Sequence, residues 1–186
     1  MKLLEFECNQ NTAMLATMVK ERRLELKETV ETKYTEREVA KAVGCSVTHY
    51  GRLENGSREF YQVKWLYGVA KVLDMPIDKL CKVYLGLSDE EVKKHFTITN
   101  GDFYSHDSGQ LVKSRRKKEG DMTQGELAQI SGCSKSHLAH MEADGRTIKD
   151  VRLLYGLAKT LDIPLWVLIR NELGLEDEEL RQVISL

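Results

Sequence analysis

Proline is scarce in this sequence, and long apolar runs are missing altogether. Two prolines in 186 residues leave most of the chain free to continue as helix, and nothing suggests a β-sandwich or barrel. Nowhere do about 18 apolar residues follow one another, so no membrane-spanning helix is expected. The apolar part of MKLLEFECNQ is too short for a signal peptide, which points to a cytoplasmic protein with no membrane partner. The four cysteines, Cys8, Cys45, Cys81 and Cys133, are widely separated, with no Cys-x-x-Cys pair and no histidine at zinc-ligand spacing. A metal site is therefore not expected, and such cysteines serve best as small buried hydrophobes. Glycine-rich phosphate loops, nucleophile elbows and His-Glu-x-x-His are also missing, so neither catalytic residues nor a cofactor are expected. An excess of charge of either sign is absent too: 28 Lys and Arg face 29 Asp and Glu. The length allows one large domain or two small ones.

What is present is an internal repeat. Shifted by 88 residues, the chain aligns with itself without a gap: TEREVAKAVGCSVTHYGRLENGSRE from Thr35 lies on TQGELAQISGCSKSHLAHMEADGRT from Thr123. VKWLYGVAKVLDMPIDKL from Val63 likewise lies on VRLLYGLAKTLDIPLWVL from Val151. Roughly two positions in five are identical, which duplication of a whole folding unit explains. Upstream, Lys20-Glu21-Arg22-Arg23 corresponds to Lys113-Ser114-Arg115-Arg116, and the first copy then carries extra residues, Leu24 to Tyr34, read as a longer first helix or loop. We expect a first domain at 1–92, a connector at 93–106 and a second domain at 107–186. In the connector, FTITNGDFYS alternates apolar and polar residues around Asn100-Gly101, a hairpin signal, with Leu3 to Cys8 as a candidate third strand. A polar loop with a tight turn is the alternative.

Each copy reads as two short helices around a sharp turn. Thr35-x-x-Glu38 and Thr123-x-x-Glu126 are capping boxes that start a helix. Gly44 and Gly132 end it by accepting a left-handed backbone, and Ser46 and Ser134 cap the next one. Ala40 and Ala128 on the inner face let the two helices cross closely. Val39, Val43, Tyr50 and Leu53 supply apolar faces in the first copy, as do Leu127, Ile130, Leu138 and Met141 in the second. This is the geometry of a helix-turn-helix.

These residues resemble the lambda-repressor-like (Xre type) helix-turn-helix family. Thr35, an acid or Gln, Glu38, Ala40, Gly44, Ser46 and the closing Leu53-Glu54-Asn55-Gly56 sit at that family's spacing. The second copy matches through Thr123-Gln124, Ala128, Gly132 and Glu142, but has Ala143-Asp144-Gly145 where the family prefers Asn-Gly. The resemblance extends through the Leu-Asp-x-Pro stop and covers both copies but not the connector. It implies an all-α protein of two tandem domains, about five helices each, that binds double-stranded DNA as a regulator of transcription. With no obvious effector domain, repression by occupying a promoter is the simplest mechanism.

The resemblance also assigns residues. The base-reading positions fall on Val47, Thr48, His49 and Arg52, and on Lys135, Ser136, His137 and His140. Arg52 can bridge guanine O6 and N7, Lys135 can donate as a point charge, and Val47 can pack on a thymine methyl. Gln124 matches the family's phosphate-contacting glutamine, whereas Glu36 at that place in the first copy should repel phosphate. Asn55, Arg58 and Arg146 are expected backbone contacts. His49 and His137, being equivalent, suit the fold as well as the code. Arg23 with Glu54 and Arg116 with Glu142 match a structural ion pair. The run Arg115-Arg116-Lys117-Lys118 reads as a solvated helix face. The balanced charge is compatible with DNA binding if positive residues gather on one face. VTHYGR differs from KSHLAH, so two unlike half-sites are expected. A homodimer through Leu180, Val183, Ile184 and Leu186, and an antagonist protein, are further candidate partners. In the alternative reading one copy, with Glu36 and Glu59 marking the first, binds protein instead.

Overall fold

The computed structural model describes residues 2–30, 32–98, 105–118, 122–144 and 147–185. Within them there are twelve helices and no strand. Their order is α1 (Lys2–Thr29), α2 (Glu36–Val43), α3 (Val47–Glu54), α4 (Val63–Leu73), α5 (Ile77–Leu85), α6 (Asp89–Phe96), α7 (Ser108–Lys118), α8 (Gln124–Ser131), α9 (Lys135–Asp144), α10 (Val151–Thr160), α11 (Leu165–Leu173) and α12 (Asp177–Arg181). The chain divides into two compact units, Met1–Asp89 together with Val183–Ser185, and Glu90–Gln182.

In the first unit α1 packs on α3, α4 and α5, and α2 packs on α3 and α4. Leu15, Val39, Leu53, Phe60, Leu66, Leu73, Ile77 and Leu80 are fully buried and form the core. In the second unit α7 packs on α9 and α11, while α8 packs on α9 and α10. Leu127, Leu138, Val151, Leu154, Leu161 and Trp166 occupy its centre.

The short helices have local causes. Thr35 and Thr123 each accept the backbone N–H three residues on, from Glu38 and Glu126, at 3.2 Å. Of these two caps only the second is reciprocal: the Glu126 carboxylate accepts from the Thr123 N–H at 2.7 Å. Gly44 and Gly132 end α2 and α8 at φ 78° and 76°, where a side chain would be strained. Ser46 and Ser134 then cap α3 and α9 through the amides of His49 and His137. The Leu-Asp-x-Pro segments end α4 and α10 with Asp74 and Asp162 in left-handed conformation.

Some expectations are corrected. Leu3 to Cys8 is not a strand but part of α1, which also takes in Leu24 to Thr29 of the extra residues. The start of the expected connector, Lys93 to Phe96, is helical and belongs to α6. The hairpin around Asn100-Gly101 lies outside the described residues. Ile130 does not join the apolar face: it is 61% exposed, and Ser131 turns inward in its place. The inner stripe of α8 is Leu127, Ala128 and Ser131, an i, i+1, i+4 pattern that leaves position 130 outside. Leu180 is fully buried, which removes it from any dimer surface.

Candidate nucleic-acid interface

An arginine on the first long helix of each unit sets the position of the helix that follows the turn. Arg23 grips Glu54 with two hydrogen bonds, Nε to Oε1 at 2.6 Å and Nη2 to Oε2 at 2.8 Å. Arg116 grips Glu142 in the same way at 2.8 and 2.7 Å. The remaining Nη1 donates to the carbonyl just ahead of the next helix, Tyr34 in one unit and Met122 in the other, at 3.2 and 2.7 Å. One guanidinium thus ties three elements together. Burial pushes the Glu142 carboxyl up, but hydrogen bonds from Arg116 and Gln124 more than offset it, and the net shift is downward.

With α3 and α9 held from behind, their first turns face outward. Val47, Thr48 and Arg52 are exposed on α3, and Lys135, Ser136 and His140 on α9. Thr48, Arg52 and Asn55, with Lys20, Glu36 and Glu54, line an open cleft of about 300 Å³. Glu36 is half-exposed, and its Oε1 lies 3.7 Å from Arg23 Nη2.

His49 and His137 are different. Both are half-buried, and the Nε2 atom of each is buried without a hydrogen-bond partner among the described residues. His49 leans on the Trp65 ring, with centroids 4.3 Å apart, and its Nδ1 lies 2.9 Å from Arg58 Nη1. Burial, then Arg58, Arg52 and Lys64, hold its pKa below the ordinary histidine value. Asn55 accepts from the Ser57 N–H at 2.9 Å, which shapes the turn that presents Arg58. Gln124 is half-buried and donates to Glu142 at 2.9 Å, so part of its amide serves the fold. Arg146 lies outside the described residues.

Sequence reasoning missed Trp65 and Lys64 beside His49, and the exposed Ile130. The one available signal was that Trp65 faces Leu153 in the repeat alignment, a large difference inside a well-matched helix. No group of three or more potential metal ligands occurs among the described residues, and no described helix is long and apolar enough to cross a membrane.

Residues 112–165, from within α7 to the first residue of α11, match the helix-turn-helix family model. This segment is a helix-turn-helix domain of the Xre, lambda-repressor-like type, which supports a DNA-binding role in transcription regulation. Comparison of the chain with curated proteins and with solved structures gave no match.

Proposed function

We propose that this chain is a sequence-specific repressor of transcription that binds double-stranded DNA through α9 and α3, reading two unlike half-sites. The observation that carries the reading is the family match over 112–165, within which α9 has an exposed first turn carrying Lys135 and Ser136. In a helix-turn-helix the second helix enters the major groove with its early residues toward base edges. Support for a second reader comes from the first unit. It repeats the helix order, the left-handed glycine at the turn and the buried Arg–Glu grip at equivalent positions. Linking two readers raises the effective concentration of the second once the first is bound.

Glu36 favours a second reading, in which the first unit docks a protein. It stands where Gln124 stands in the other unit and puts a half-exposed carboxylate at the start of α2, where a phosphate would otherwise approach. One experiment separates the two. A duplex is selected from a random-sequence pool with the full chain, and its affinity is then measured for Arg52→Ala and Lys135→Ala. If both units read, each loss weakens binding by roughly fivefold to a hundredfold, the worth of a good base contact. If only Lys135→Ala weakens it, the second unit reads alone. No selected sequence at all would overturn the DNA-binding reading.

A further inference from the structure

His49 and Arg58 form a pair that the proposed reading does not use. Arg58 follows α3 in a turn held by its own backbone, since its N–H donates to the Arg52 carbonyl at 3.0 Å. Its guanidinium, exposed to solvent, meets Nδ1 of His49 at 2.9 Å. A guanidinium stays protonated and has no acceptor, so Nδ1 must offer its lone pair and the ring proton must sit on Nε2. His49 is itself held at both ends: its ring lies against Trp65, and its backbone N–H donates to Ser46 Oγ at 3.2 Å. Arg52 and Lys64 are the other charged groups acting on the ring, and both favour its neutral form.

We infer that His49 is a positioning residue: its neutral ring holds the Arg58 guanidinium beside the outer face of α3, with the remaining N–H groups directed to a phosphate of bound DNA. This rests on the first unit contacting DNA. An unrestrained arginine on a surface turn loses rotamer freedom when it meets a phosphate, and an arginine already held loses less. Only one of its N–H groups is needed for the histidine, and a planar guanidinium can serve a phosphate with the others. His49 therefore takes no base, although it lies at a base-reading position of the motif.

The test uses the full chain and the selected duplex over a series of salt concentrations. Arg58→Ala is expected to weaken binding and to lower the salt slope by about one, as loss of one phosphate contact does. His49→Phe keeps a ring against Trp65 but removes the acceptor. It is expected to weaken binding roughly two- to tenfold, the effect of leaving one side chain to be ordered on binding. His49→Asn, whose Oδ1 can stand in for Nδ1, restores most of the affinity. In the Arg58→Ala background neither histidine variant changes binding further. Wild-type affinity for His49→Phe, or an equal effect of it with and without Arg58, would overturn the inference. If Arg52→Ala and Arg58→Ala both leave binding intact while Lys135→Ala weakens it, the first unit does not contact DNA and the underlying reading fails instead.

Discussion

Arg116 and Glu142 show how a single side chain sets the placement of a whole helix. Both are almost fully buried, and the pair is bidentate, so the attraction and the hydrogen bonds together offset the cost of removing two charges from water. Removing Arg116 leaves the Glu142 charge buried without its counter-charge, with Gln124 as its remaining side-chain donor. Arg116→Ala is expected to destabilise the second unit by about 3–5 kcal/mol, read from urea unfolding of the full chain. Arg116→Lys should recover little, because an ammonium cannot make the two-pronged contact or reach the Met122 carbonyl at the same time. If the alanine variant unfolds at the wild-type midpoint, the clamp has no such role. The pair was legible from sequence through the family resemblance, which implies an ion pair between these two positions in each copy. The roles of His49 and Arg58 were not, since their contact depends on a turn and on Trp65 from another helix, neither of which spacing encodes.

Helix ends were easier to read than helix faces. Thr-x-x-Glu and the glycine before the cysteine locate α2 and α8, because caps are local chemistry within a few residues. The inner face of α8 was misread at Ile130, since an eight-residue helix has too few turns for its periodicity to choose between adjacent positions. The close approach of α7 to α9 left no mark of that kind. A side chain at Gly109 in α7 would collide with the Met141 backbone carbonyl of α9, so glycine there sets how near α7 and α9 can lie. Two predictions belong at this level. Gly109→Ala should force α7 away from α9 and destabilise the second unit, whereas an unchanged unfolding midpoint would mean the backbone shifts freely. Thr123→Ala should lose about 1 kcal/mol of stability and Thr35→Ala less, because only the second cap is reciprocal. Thermal unfolding of the two variants compares them directly, and a larger loss at Thr35 would contradict the difference in capping.

For the molecule as a whole, the repeat suggested two copies in succession, but the units are not delimited by it. Residues 183–185 belong to the first unit, where α5 begins at Ile77 after Pro76 with no side-chain cap and its first amide needs a partner. The Val183 carbonyl accepts from the Ile77 N–H at 2.6 Å. Ser185 donates to the buried Asp78 carboxylate, through its N–H at 2.9 Å and its hydroxyl at 2.5 Å. No repeat alignment foretells this, since the position equivalent to Asp78 is Trp166. Ending the chain after Gln182 would leave Ile77 without its acceptor and Asp78 without both Ser185 donors, at a cost on the order of 1–3 kcal/mol for each orphaned group. Hydrogen exchange of α5 should then quicken while that of α8 to α10 stays as it was. Replacing Asp78 by leucine in the shortened chain removes the orphaned carboxylate and should return part of the protection. Unchanged exchange in α5 after truncation would show that the segment adds nothing to the first unit.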